Sequence, residues 1–298
     1  MAPVRHVLCP TDFSPFSESS LRYAVLLAKW LGADLTCLLV LADPLGPIRG
    51  YPPRWIGADP TEKQKQRERL ELFAAPAKAA GLIARTVIAE GEVPESILSE
   101  ARQLPGSLIV LGTHGHGGFE NLVLGSVTEK VLRKAPCPVM TIPREPERSP
   151  AKAIPFGRIL CAIDFSPSSV AAFEAALDIA PPSGAEITAV HVFREIPVAE
   201  APEMVHFNVP EYRRLIEKER REQLKAFVEK NGRGRPVEIR LLAGKPWRRI
   251  VHLAHEMEAD LVVLGVQGRS AADLLLFGST AHHVVREAPC PVLTVRAG

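Results

Sequence analysis

Hydrophobic positions along this chain fall into two alternating kinds of run. Arg5–Pro10, Asp34–Leu41, Ala84–Ala89, Ser107–Leu111 and Val139–Ile142 are short, nearly continuous apolar stretches, as expected of strands covered on both faces. Between them, Ser17–Leu31 carries apolar residues at helical spacing and is closed by Gly32. Thr61–Ala80 is charged and amphipathic, Glu95–Leu104 follows Pro94 at a place suited to a first helical turn, and Ser126–Lys134 is a last short helix. The order βαβαβαβαβ requires parallel strands joined by right-handed crossovers.

The same order returns in the second half, with strands predicted near Ile159–Ile163, Glu186–Phe193, Val237–Leu242, Leu261–Leu264 and Val292–Val295. Gly112-Thr113-His114-Gly115 is followed nine residues later by Gly125-Ser126, and Gly265-Val266-Gln267-Gly268 nine residues later by Gly278-Ser279. Asp12-Phe13-Ser14-Pro15 returns as Asp164-Phe165-Ser166-Pro167, and Ala135–Val139 as Ala288–Val292. A repeat this long is a duplicated domain, so each copy serves as a control for the other. The predicted domains are 1–145 and 156–298, with 146–155 as linker inside the charged, proline-rich stretch Arg144–Pro155. Each half also has a long Pro/Gly-rich loop after its second strand, Asp43–Pro60 and Arg194–Pro210, placed where a lid would cover the carboxyl ends of the strands.

Composition narrows the partners. In 298 residues, 36 Lys and Arg face 34 Asp and Glu, which leaves no electrostatic footprint for nucleic acid or an anionic membrane. No apolar run approaches the length of a spanning helix and no signal block precedes the first strand, so a cytoplasmic protein is expected. Five cysteines without a C-x-x-C pair indicate neither a disulfide framework nor a zinc knuckle, and Cys9, Cys161, Cys137 and Cys290 read as small apolar core residues.

Candidate chemistry concentrates after the fourth strand of each half. Gly112–Gly125 begins where that strand ends and runs into a helix whose free N–H groups, with the hydroxyls of Ser126 and Thr128, suit a phosphate. Neither G-x-G-x-x-G nor a Walker A sequence is present, since Gly244-Lys245 is followed by Pro246. A structural alternative makes Ser126 an N-cap and Glu129 its capping-box partner, although the second copy has His282 in place of that Glu. Asp12 and Asp164 are candidate ligand contacts with an alternative reading as turn or capping residues, a role open also to Ser14 and Ser166. His114 and His116 are candidates for added charge or are neutral loop residues. His252 with His255 has metal-compatible spacing but lacks a third ligand, and adjacent His282 and His283 point to different helix faces. Tyr212–Lys230 interleaves basic and acidic residues as a solvated helix does.

These motifs in this order resemble the universal stress protein family in its tandem form. The resemblance spans nearly the whole chain and implies an α/β fold of two doubly wound domains, each a five-stranded parallel sheet of order 3-2-1-4-5 flanked by helices. It implies ATP in the first copy, with Pro10, Thr11 and Asp12 beside the adenosine and the backbone of Val40 at the adenine edge. Gly112 and Gly115 would follow the ribose and phosphates, with Gly125, Ser126, Val127 and Thr128 cradling the phosphate tail; Mg2+ would be held mainly by phosphates. The second-copy counterparts are Ala162, Ile163, Asp164, Val192, Gly265, Gly268, Gly278, Ser279, Thr280 and Ala281. Loss of the Thr11 and Thr128 hydroxyls predicts a weaker second site unless Arg269 supplies charge. The implied function is a non-catalytic, ATP-binding stress-response regulator working through nucleotide-dependent conformation or an unknown protein partner. A slow ATPase or nucleotide-using enzyme and a nucleotide-free interaction scaffold are the alternatives. The apolar last strands imply edge pairing, as an internal pseudo-dimer or a homodimer.

Overall fold

A computed structural model describes residues 3–42, 60–113, 124–143, 156–180, 184–193, 209–267 and 277–297. The chain divides into two compact units, Ala2–Pro146 and Glu147–Gly298. The expected linker and both expected lid loops lie largely or wholly outside the described residues, as do His114, Gly115, His116, Gly268 and Arg269.

The first unit runs β1 (His6–Thr11), α1 (Pro15–Leu31), β2 (Asp34–Leu41), α2 (Pro60–Ala79), β3 (Ala84–Glu90), α3 (Val93–Gln103), β4 (Ser107–Gly112), α4 (Ser126–Lys134) and β5 (Val139–Ile142). Its strands are parallel in the order β3-β2-β1-β4-β5. The second runs β6 (Arg158–Ala162), α5 (Pro167–Ile179), β7 (Glu186–Phe193), α6 (Val209–Asn231), β8 (Glu238–Ala243), α7 (Pro246–Glu256), β9 (Leu261–Gly265), α8 (Ser279–Glu287) and β10 (Val292–Val295). It is parallel in the corresponding order β8-β7-β6-β9-β10. Each sheet therefore has the order 3-2-1-4-5, with the chain reversing direction across the sheet between its first and fourth strands. That reversal opens a crevice at the carboxyl ends of the two strands.

Central strands are covered on both faces, as their unbroken apolar runs require: Val7, Leu8, Cys9, Ile109 and Val110 in one unit and Ile159, Leu160, Cys161, Val262 and Val263 in the other are fully buried. Helix starts follow local chemistry. Ser14 and Ser166 are N-caps, each accepting from the amide three residues on at 3.3 and 3.2 Å, and each is followed by proline at the first helical position. Gly32 closes α1 with φ 63°, a left-handed turn that glycine takes without strain.

Five strands, β1, β3, β4, β8 and β9, end one residue beyond the apolar pattern, and two of them end on a glycine. β4 ends at Gly112 paired with Ile142, and β9 at Gly265 paired with Val295. Glycine adds nothing to an apolar run but keeps a full set of ladder groups. The strand thus carries its first loop glycine to the rim of the crevice.

Candidate functional site

The hydrogen-bonded ladder beside the crevice ends at different depths in the two units. In the first unit β1 pairs with β4 only through His6↔Ser107, Val7↔Leu108 and Leu8↔Ile109, although β1 continues to Thr11 along β2. The His6 amide bonds the Gly106 carbonyl on the β4 side, whereas the Arg5 carbonyl accepts from Asp34 on the β2 side. By strand alternation the backbone of residue 10 also faces β4, and that residue is Pro10, which has no N–H to give.

Beyond the strand comes a turn conserved in geometry between the two units. Asp12 Oδ1 accepts from the Ser14 amide at 3.0 Å, and Asp164 Oδ1 from the Ser166 amide at 3.0 Å. Between carboxylate and cap, Phe13 and Phe165 hold φ 60° and 64°, a left-handed conformation that costs a bulky residue about 1–3 kcal/mol. The aromatic rings hold the turn. Phe13 meets Phe73 edge-on at 5.9 Å beneath the Arg69 guanidinium at 4.2 Å, and Phe165 meets Phe227 at 6.0 Å. Thr11 Oγ1 accepts from the Phe13 amide at 2.9 Å and donates to Ser17 Oγ at 3.1 Å, so this hydroxyl is spent on shaping the turn.

Across the crevice, the N-cap of α4 is Gly125, with φ −58° and ψ 138°, and no side chain caps the helix. Gly278 repeats this for α8 at −59° and 139°. Any residue adopts these angles, so the backbone does not call for glycine; what glycine removes is a side chain that would occupy the first-turn amides. The capping-box alternative therefore fails, because Ser126 and Ser279 stand one position inside the helix, both exposed. Residues 126–128 and 279–281 present amides with no intrahelical acceptor at the positive end of the helix dipole. Thr128 is turned inward, its hydroxyl donating to the Gly112 carbonyl at 2.8 Å, which ties α4 to the end of β4 and leaves no hydroxyl proton for a ligand.

In the second unit the ladder runs further. Ala162 stands in place of Pro10, and β6 stays paired with β9 through Cys161↔Val263 and Ala162↔Leu264, two residues deeper than β1 with β4. Ser166 Oγ also donates to the Gln267 carbonyl at 3.2 Å, bridging the first-strand turn to the glycine loop. A Cβ on Gly265 would lie 2.7 Å from Ser168 Cβ and 2.8 Å from its carbonyl carbon, so this glycine serves the close approach of α5. Val40 and Val192 occupy equivalent half-buried places near the ends of β2 and β7. Beside Val192, buried His191 donates from Nδ1 to the Ile163 carbonyl at 2.7 Å and packs against Phe165 at 4.6 Å.

The remaining candidates lead elsewhere. Burial pushes the Cys9 thiol well above its ordinary value, with Cys37 adding to it; burial, then Glu71, takes Cys37 up to about 12, and burial also raises Cys161 and Cys137. Such thiols are poor nucleophiles. His252 and His255 are exposed on α7, and among the described residues no three His, Cys, Asp or Glu side chains converge on a metal position. His282 and His283 turn to different partners, His282 edge-on to Phe277 at 6.1 Å and His283 stacked on Trp247 at 4.5 Å, with their own rings nearly perpendicular.

The profile of the Universal stress protein family matches residues 3–143 and again 155–296. The chain belongs to that family. As a universal stress protein it has a role in stress response, and its length is shared with tandem relatives. A universal stress protein of Mycobacterium tuberculosis is 28% identical over 308 aligned residues, covering 97% of this chain and 94% of the relative. One from Methanocaldococcus jannaschii is 32% identical over 140 residues, 46% of this chain and 81% of its own. The crystal structure of a universal stress protein from Archaeoglobus fulgidus superposes with a TM-score of 0.70 at 25% identity, covering 98% of this chain and 96% of that one. No helix among the described residues is long and apolar enough to cross a membrane.

Sequence reasoning missed the left-handed phenylalanines, His191 and the unequal depth of strand pairing. The first had a visible signal, since Phe follows the Asp in both copies. The others depend on which strands become neighbours.

Proposed function

We propose that the first unit binds ATP with Mg2+ at the β1–β4 crevice and that the protein acts in stress response through nucleotide-dependent conformation or partner choice. The observation that carries this reading is the glycine N-cap of α4, which leaves the first-turn amides uncapped by any side chain at the mouth of the β1–β4 crevice. In this reading Pro10, Thr11 and Asp12 border the adenosine and the Val40 backbone meets the adenine edge. Gly112 and Gly115 follow the ribose, and Gly125, Ser126, Val127 and Thr128 receive the phosphates, Thr128 through its amide alone. Mg2+ takes its oxygens from phosphate and water. The second unit, with Ala162, Ile163, Asp164, Val192, Gly265, Gly268, Arg269, Gly278, Ser279 and Thr280, is the weaker site, in keeping with its deeper strand pairing.

The test is Gly125→Asp. An aspartate is a better N-cap than glycine, so the helix gains a few tenths of a kcal/mol, while its carboxylate fills the amides and repels phosphate. Calorimetry with ATP and magnesium should show at least about a tenfold weaker affinity, ~1.4 kcal/mol, with an unchanged or higher Tm. Unaltered affinity would reject the site. Gly278→Asp should cost less. Single-turnover incubation of the same preparation with ATP distinguishes a regulator from a slow ATPase, since hydrolysis above background that Asp12→Asn abolishes would favour the enzyme.

A further inference from the structure

In the first unit α3 and α4 are joined by ion pairs, Lys130 to Glu92 at 2.7 Å and Lys134 to Glu95 at 2.5 Å. The carboxylates stand at the N-cap and third position of α3, where they also suit the positive end of its dipole. The second unit rewrites this set. After Gly91 and Gly244, which share φ near 130° (132° and 130°), the N-cap Glu92 is replaced by Lys245 and Glu95 by Arg248. On the facing helix His283 takes the place of Lys130 and Glu287 that of Lys134.

The new residues form a ledge. Trp247 stacks on His283 with centroids 4.5 Å apart and planes at 12°, while Lys245 Nζ and Arg248 Cζ lie 5.7 and 5.1 Å from the indole centroid. Glu287 is engaged by Arg286 and by His283 at 3.2 Å; burial would raise its pKa, but these partners outweigh burial and hold it below the ordinary value. Among the described residues neither Lys245 nor Arg248 has an ion-pair partner, and both are exposed. α7 thus carries Lys245 and Arg248, with Arg249 beside them, at the positive end of its own dipole and no acid in its first turn, an arrangement that opposes local stability. Trp and Arg are the residue types that dominate protein interfaces, and here the indole is held rigid before any partner arrives.

We propose that Lys245, Trp247, Arg248 and His283 form a docking surface for an acidic helical segment of a protein partner. Its carboxylates, one helical turn apart as the two cations are, supply from outside the charge that Glu92 and Glu95 supply internally in the first unit. A cation resting over a ring keeps N–H groups at its edge for a carboxylate. A nucleic acid fits less well, because His283 already takes one face of the indole, the cations lie over the ring, and the chain's balanced charge gives no field to follow a phosphate backbone.

The experiment uses the full chain and a fluorescein-labelled, alanine-rich helical peptide bearing paired glutamates one turn apart, read by fluorescence anisotropy. Lys245→Glu with Arg248→Glu should weaken peptide binding at least about tenfold, at a Tm unchanged or raised because acids suit this end of the dipole, and Trp247→Ala should weaken it about fivefold. Lys218→Glu with Arg221→Glu, on exposed α6 positions, should change it less than about twofold. Absence of wild-type binding, equal losses in both double variants, or tighter binding of a uridine homopolymer RNA that is abolished by the Lys245/Arg248 reversal would each overturn the proposal. A selective loss confirms it, whether or not either unit binds nucleotide.

Discussion

β1 leaves β4 after Leu8, whereas β6 stays with β9 as far as Ala162. The two units have one strand order and corresponding N-caps, so the difference points to the effect of a few side chains on an otherwise shared arrangement. A proline facing the neighbouring strand removes one donor and the ladder stops; an alanine restores it and the ladder runs on. Depth of pairing, more than the glycine motif that both copies retain, is where the two switch points differ.

The comparison can be broken at four places. Gly265→Ala should have the largest effect, because its Cβ meets the α5 backbone; roughly 1–3 kcal/mol of destabilisation is expected in urea unfolding. Unchanged stability would mean that the strand end and α5 are further apart than described. Pro10→Ala and Ala162→Pro exchange the two crevices: the first should lower ATP affinity about fivefold, ~1 kcal/mol, and protect backbone amides at the end of β1. If the two exchanges leave both affinity and amide protection as they were, the proline account of the crevice is wrong. Thr128→Ala should cost about 1 kcal/mol of stability and at most a two- to threefold change in ATP affinity, as suits a tether to Gly112. A loss of affinity beyond tenfold would make that hydroxyl a ligand.

The smallest effect belongs to the α3–α4 ion pairs. The hydrogen bond from Lys134, with its charge, holds Glu95 below its ordinary pKa. The pair's contribution is therefore complete above the unfolded carboxylate range and fades as pH falls through the lowered value in the fold. Lys134→Ala should flatten this acid dependence slightly, and high salt should mimic the mutation. An acid dependence indifferent to both would show that the pair is spent on geometry alone.

Much of the fold was legible because each half alternates strand and helix with little ambiguity. Asp34–Leu41, Ser126–Lys134, Val139–Ile142, Glu186–Phe193 and Val292–Val295 begin and end where their apolar patterns do. The site was less so. A Gly-Ser pair before a helix does not reveal which residue becomes the cap, since Ser126 is an ordinary cap residue and yet Gly125 takes the place. The inward turn of Thr128, the Ser166–Gln267 bridge and the Trp247–His283 stack each join positions far apart in the chain, and local periodicity carries no information about them.

Helices that start on a bare glycine have a consequence in time as well as in space. Amides 126–128 and 279–281 have no acceptor within their own helix and no capping side chain, and should exchange their hydrogens with solvent much faster than the rest of α4 and α8. Whatever anion settles there acts as the missing cap, slowing those few amides and quieting the first turn. The ends of these two helices are thus the natural places to watch occupancy residue by residue.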